Sequence, residues 1–178
     1  MDRHNDTTRI ITFYSNAHLN HSPQIEFLHG QNVPYFEKTS RIENIRKALQ
    51  SADLISLREP EQSADVAVIE QAHDAGMIDY LRNVSANVED RIRDSFSIYH
   101  MEDAIKGDNY FYESIFPPVP SPNFYIYDSV SPIGKGTYNA VMMSATVAVE
   151  SAEVVLNGEK QAFALCRPPG HHAGRRSM

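Results

Sequence analysis

The longest regular pattern in this chain covers residues 137–157 and stops at a glycine. Apolar residues recur there at steps of three and four, which is typical of a helix with one buried side. Gly158 follows at the position where a helix-ending glycine is expected. The short apolar run 162–166 then predicts a buried strand. A helix, a glycine turn and a strand in this order indicate an α/β fold built on a parallel sheet.

An unusual string leads out of that predicted strand and contains two adjacent histidines, His171 and His172. It reads Arg167-Pro168-Pro169-Gly170-His171-His172. The prolines stiffen the chain and remove two N–H donors, while the glycine permits a sharp turn. In such a turn both imidazoles can face one cavity, where one acts as a general base and the other stabilises an oxyanion. Taken alone, a histidine pair is also compatible with surface residues or with hydrogen bonding inside a loop.

The first half of the chain supports the α/β interpretation. Residues 10–14 form a short β-rich run that predicts the first strand, and residues 18–34 have the composition of a loop. Ser40 and Glu43 have the spacing of a capping box, which predicts a helix from Ser40 to about Ala52.

Two regions that allow more than one interpretation follow this helix. Residues 63–87 contain two helical patterns, the first of which is short enough to be a strand instead, and Asp74 can cap the second. Residues 94–130 are irregular and rich in aromatic residues and proline. A loop of that length in a compact domain is usually functional or forms an interface, although its aromatic residues can simply pack it down.

Composition limits the function classes. A length of 178 residues predicts one domain, and a net charge of −7 disfavours nucleic-acid binding and suits a cationic ligand, although this charge is also ordinary for solubility. Cys166 is the only cysteine, so a reducing, cytoplasmic setting is expected. We expect no window to reach the ~20 apolar residues of a membrane span, and the N-terminus lacks the apolar stretch of a signal peptide. We therefore expect a cytoplasmic protein with no nucleic-acid or membrane partner.

The string from Arg167 to Ala173 resembles the active-site signature of the histone deacetylase superfamily, in particular its bacterial acetylpolyamine amidohydrolases. The segments 72–76 (Ala-His-Asp-Ala-Gly) and 136–138 (Gly-Thr-Tyr) resemble two further family segments. The resemblance covers nearly the whole chain. It implies that residues 1–178 are the N-terminal part of an arginase–deacetylase α/β fold, with a parallel sheet flanked by helices.

The resemblance also implies an activity, which is hydrolysis of an N-acetyl amide by metal-activated water, usually with zinc. His172 matches the family's general base and acid, and His171 matches the partner imidazole that supports transition-state charge. Arg41 matches an arginine near the family's internal acetate channel, although an ordinary arginine on a helix surface would need no such role.

Carboxylates of the 94–130 loop are candidates for substrate binding by the same resemblance. Asp128 and Glu113 would suit an ammonium-bearing substrate such as an acetylpolyamine, because opposite charges attract. Solvated loop charges are the plainer interpretation of both residues. In polyamine-specific relatives this loop helps to build a dimer, so a homodimer through residues 94–130 is a further possibility.

The metal ligands of the family come from an Asp-x-His strand end and a later Asp beyond the histidine pair, and its catalytic tyrosine lies later still. Only residues 173–178 follow His172 here. We therefore expect zinc in the complete family member, no metal ligands in this chain, and no activity of these 178 residues alone, as a partial record or a truncated product. The alternatives are a protein acetyl-lysine deacetylase of the same superfamily and a non-catalytic truncated remnant. Arginase-like ureohydrolysis shares the fold but has no support from the string.

Overall fold

The structure is a computed structural model that describes residues 9–28, 31–87, 125 and 131–178. The candidate residues Asp128 and Glu113, and nearly all of the 94–130 loop, lie outside the described residues.

A three-stranded parallel sheet forms the centre of the described structure. Its strands are β1 (Ile10–Phe13), β4 (Ile55–Arg58) and β5 (Ala162–Ala164), and β1 lies in the middle. Ile10 is opposite Ile55 in β4, and Ile11 is opposite Ala162 in β5. The parallel sheet and the strands predicted over 10–14 and 162–166 are thereby confirmed.

A separate antiparallel hairpin and five helical segments complete the described elements. The hairpin pairs β2 (Ile25–Leu28) with β3 (Gln31–Pro34). The helical segments are a 3-10 helix (Asn16–Asn20), α1 (Thr39–Ser51), α2 (Val66–Ala72), α3 (Ala75–Asn87) and α4 (Thr137–Leu156). The helix predicted over 137–157 is confirmed, and Gly158 ends it in a left-handed conformation with φ 109°.

Helices cover both faces of the sheet. Successive side chains of a strand point to opposite faces, so both faces carry apolar residues that pack against helices. On one face Ile11 and Phe13 pack with Val147 of α4. On the other face Tyr14 and Leu165, which follow β1 and β5, pack with Ile42 of α1. The predicted arrangement of a parallel sheet flanked by helices is confirmed.

Two local expectations were wrong, one strand was missed, and one open alternative is decided in favour of the predicted helix. The predicted loop 18–34 contains the end of the 3-10 helix and the whole β2–β3 hairpin, and strand β4 had not been predicted. The proposed capping box does not form, because α1 begins at Thr39 with Lys38 as a cap that makes no side-chain hydrogen bond. Residues 66–72, for which a strand remained possible, are helical.

One helix of the described residues, α4, is long and apolar enough to cross a membrane by length and composition, with a mean hydropathy of 1.3. This corrects the expectation that no such window exists. The core helix of a globular domain meets the same criterion, and α4 packs on β1, β5 and the 3-10 helix. We interpret α4 as a core helix on the basis of these contacts.

Candidate functional site

The His171–His172 string begins directly beyond β5, at the carboxyl end of a parallel strand, where ligand sites of α/β sheets are usually formed. The two imidazole rings lie 4.2 Å apart between centroids and meet edge to face at 71°. Both residues are exposed and line a cavity of about 330 Å³. The turn thus brings both predicted catalytic residues to the wall of one cavity, as the sequence had suggested.

The remaining lining of the cavity is mainly apolar, and much of it comes from the helices. Its apolar residues include Ile69, Met77, Ile78, Leu81, Val141 and Met142. Polar side chains also line the cavity, and they include those of His21, Glu26, Tyr35, Glu37 and His73. A largely apolar cavity with a few convergent polar groups is typical of a small-molecule site.

Arg167 anchors the start of the histidine string and is the main residue that sequence reasoning missed. Its side chain is 0% exposed, and Nη1 donates to the carbonyl oxygens of His18 and His21, each at 2.7 Å. Nη2 donates to the carbonyl of Glu37 at 3.0 Å, and Nε lies 2.9 Å from the Glu37 Oε2 atom. Burial lowers the pKa of Arg167, and the Glu37 carboxylate opposes this shift. The available signal was a charged residue placed directly after a buried apolar run.

His21 is a second buried polar group of the cavity wall that the sequence did not single out. It is 3% exposed, with Nδ1 2.9 Å from Thr137 Oγ1 and Nε2 3.3 Å from the Tyr35 hydroxyl. Burial, together with the nearby charge of Arg167, lowers the pKa of His21 to about 3. A neutral His21 therefore links the hairpin side of the cavity to the first residue of α4.

Arg41 lies on the surface of α1, and its side chain is 53% exposed. Its Nη2 atom is 3.0 Å from Glu37 Oε1, so Glu37 connects Arg41 to the buried Arg167. Arg41 is not among the residues that line the cavity. Its assignment to an acetate channel stays a prediction, as do the substrate roles of Asp128 and Glu113, which lie outside the described residues.

A zinc site would need several His, Cys, Asp or Glu side chains close together. Within the described part of the chain, no group of three His, Cys, Asp or Glu residues is placed to hold a metal ion. The described residues therefore do not fit a zinc site by themselves.

The sheet with helices on both faces, together with a histidine pair after a strand end, defines the arginase–deacetylase class of α/β fold. Residues 35–178 match the family model for the histone deacetylase domain. The chain belongs to the histone deacetylase family.

Acetylpolyamine amidohydrolases are among its similar proteins. Acetylpolyamine amidohydrolase 1 of Pseudomonas aeruginosa is 31% identical over an aligned length of 172 residues, and the match covers 93% of this chain and 47% of that protein. Acetylpolyamine amidohydrolase of Mycoplana ramosa is 29% identical over 90% of this chain and 46% of its own length. The chain therefore spans about half the length of these relatives.

Solved structures show the same similarity. The crystal structure of acetylpolyamine aminohydrolase from Burkholderia pseudomallei matches 95% of this chain and 48% of its own chain, with a TM-score of 0.74 and 26% identity. The HDA15 HD domain matches 96% of this chain and 38% of its own chain, with a TM-score of 0.62 and 18% identity, which supports the fold alone.

Proposed function

We propose that this protein hydrolyses N-acetyl amides and that its substrates are acetylpolyamines. The observation that carries the proposal is the His171–His172 pair, with rings 4.2 Å apart, on the wall of a cavity of about 330 Å³. The similarity to acetylpolyamine amidohydrolases over 93% of the chain supports this substrate class.

In the proposed reaction His172 accepts a proton from the water that attacks the acetyl carbonyl. The C–N bond then breaks, and the same imidazole returns the proton to the departing amine, so that acetate and a free amine are formed. His171 stabilises the negative charge that develops on the carbonyl oxygen. The close approach of the two rings supports this division of roles, because it brings both imidazoles to the same part of the cavity wall.

The remaining proposals concern the cofactor, the activity of this chain alone, the location and the partners. We propose zinc as the cofactor of the complete family member, with its ligands outside the described residues, and no activity for these 178 residues alone. We also propose a cytoplasmic location and no nucleic-acid or membrane partner. A homodimer through residues 94–130, with Asp128 and Glu113 as candidate contacts to a cationic substrate, completes the proposal.

The test is hydrolysis of acetylspermidine, acetylputrescine and an acetyl-lysine peptide by the full-length protein from its source. We expect the acetylpolyamines to give the higher kcat/KM, and His172→Ala to lower kcat by about 10²–10⁴-fold, the usual contribution of a general base. Lys47→Ala, on the exposed surface of α1, is the control and should leave kcat unchanged.

Two results would contradict the proposal. A preference for the acetyl-lysine peptide would establish a protein deacetylase instead. Failure to hydrolyse any of the three substrates, with metal bound, would favour the non-catalytic alternative.

A further inference from the structure

The residues directly after the histidine pair are tied to the junction between α2 and α3. His73 Nδ1 lies 2.8 Å from the carbonyl oxygen of Gly174, and because a carbonyl only accepts, His73 is the donor. The backbone N–H of Asp74 donates to the carbonyl of Arg175 at 2.8 Å. The Asp74 carboxylate pairs with Arg176 Nε at 3.2 Å. Two consecutive residues thus hold three consecutive residues about a hundred positions away in the chain.

The α2–α3 junction is held in place by hydrogen bonds of both helices, because α2 ends with His73 as its cap and α3 begins after Asp74. The backbone N–H of His73 donates to the Ile69 carbonyl at 2.9 Å and closes α2. The Asp74 side chain accepts from the Gly76 N–H at 3.0 Å, and the Asp74 carbonyl accepts from the Met77 N–H at 3.0 Å, so Asp74 starts α3. The predicted capping role of Asp74 is confirmed.

Capping does not account for the His73 side chain. The hydrogen bond that closes α2 uses the backbone N–H, which nearly every residue possesses. The imidazole instead reaches across to Gly174 and lines the same cavity as His171 and His172. Only Ala173 separates the held residue from His172.

The string is thus held on both sides of the histidine pair. Arg167 fixes the approach through its buried hydrogen bonds, and His73 fixes the exit. Between these points the pair is exposed, and the backbone that carries it is fixed at either end. A small displacement of an acid–base group is costly, because proton transfer requires hydrogen-bond distance.

We propose that His73 is a positioning residue whose Nδ1–H bond to Gly174 sets the orientation of the His171–His172 turn toward the cavity. This inference rests on the proposed function for its consequence in catalysis. The hydrogen bond itself is independent of that function and can be tested without turnover.

Three substitutions of His73 distinguish the effect of its hydrogen bond to Gly174 from the effect of its side-chain packing. His73→Asn places an amide N–H near the position of Nδ1, His73→Gln places it one bond further out, and His73→Leu keeps volume without a donor. Glu70→Gln on the exposed surface of α2 is the matched control. If a Leu variant does not fold, the comparison of Asn with Gln still decides, since both are polar amides.

Catalysis is measured on the full-length protein with acetylputrescine. We expect His73→Leu and His73→Gln to lower kcat by about 10–10²-fold with little change in KM, the cost of a misplaced catalytic group. We expect His73→Asn to stay within a few-fold of the parent and Glu70→Gln to match it. Equal losses in the Asn and Gln variants would overturn the proposal, because packing rather than the donor position would then matter.

Imidazole NMR and amide hydrogen exchange give readouts that do not need activity. We expect His73→Leu and His73→Gln to change the His171 and His172 ring signals and to speed exchange at residues 173–176, while His73→Asn preserves both. Parent-like ring signals and exchange in all three variants would refute the positioning role. If the parent hydrolyses no acetylated amine, the proposed function fails, and these two readouts still decide the inference about His73.

Discussion

At the scale of single residues, buried charges and histidines hold the cavity wall together. The Arg167 guanidinium donates hydrogen bonds to the backbone carbonyls of His18, His21 and Glu37. It also forms an ion pair with the Glu37 carboxylate. A charge placed so deeply is costly unless it is paired, so its partners are needed as much as the charge itself. The sequence showed the string but not these partners, because they lie about 130–149 positions away along the chain.

Arg167→Met removes the buried charge and leaves the Glu37 carboxylate without its buried partner. We expect a loss of about 3–5 kcal/mol in the free energy of unfolding, the usual cost of breaking a buried pair. Arg41→Met is the matched control, since Arg41 pairs with the same carboxylate but is 53% exposed, and it should cost about 0–1 kcal/mol. Urea unfolding of the two variants measures both values, and equal losses would show that burial of Arg167 is unimportant.

The buried His21 imidazole makes the free energy of unfolding depend on pH. Its pKa is lowered from 6.5 to about 3 by burial, so the unfolded chain binds a proton more readily than the folded one. Its contribution is therefore present in full above pH 6.5 and is lost as pH falls from about 6.5 toward 3. The pKa of His18 is lowered in the same direction, also by burial.

Urea unfolding between pH 7.5 and 4.5 measures this dependence. We expect the parent to lose stability steadily on acidification and His21→Asn to show a shallower slope from a lower starting value. A slope that is the same in parent and variant would exclude His21 as a cause.

At the scale of elements, the sequence predicted the helices and strands whose formation depends on neighbouring residues in the chain. The α4 helix, the Gly158 cap and β5 follow one another along the chain, and all three were predicted. Strand β4 has only four residues and is defined by pairing with β1, which lies 45 positions earlier. A pairing partner of that kind leaves no local pattern to detect.

The failed capping box has a comparable cause. Glu43 bonds with the Tyr14 hydroxyl, with His18 Nε2 at 3.1 Å and with Arg46 Nη2 at 2.7 Å, and it is therefore not available to the helix start. The hydrogen bond from Arg46 is the main cause that lowers the pKa of Glu43 to about 2. A tertiary cluster has overridden a local capping preference.

The start of α4 provides a prediction at this scale. Gly136 has φ 87°, and a Cβ there would lie 3.0 Å from Asn20 Cβ and 3.1 Å from the Asn20 carbonyl oxygen. We expect Gly136→Ala to cost about 1–3 kcal/mol, from the left-handed backbone and from crowding against the 3-10 helix. Gly134→Ala is the control, because its Cβ would make only an ordinary contact at 3.8 Å with Thr137 Oγ1. Thermal unfolding compares the two, and a control as unstable as Gly136→Ala would contradict this account.

At the scale of the whole molecule, the histidine pair could be predicted because it is contiguous in sequence, whereas the cavity around it could not. The cavity wall is drawn from residues as distant as His21, Met77 and Val141, which meet only through packing of the helices on the sheet. The His73 contact with Gly174 joins positions 101 apart, so no local pattern could assign it.

The metal donors of the described residues lead to a prediction about zinc binding by the 178-residue chain. Because the described residues contain no group of three metal donors, we expect the 178-residue chain, expressed alone and supplied with zinc, to retain well under one zinc per chain. Structural and catalytic zinc sites have at least three protein ligands, whereas the His171–His172 pair supplies two. Elemental analysis of the dialysed chain measures the ratio, with His171→Asn as the variant that reports any zinc held by the pair. We expect no hydrolysis of acetylputrescine by this chain, whereas stoichiometric zinc together with turnover would show that its residues complete a site after all.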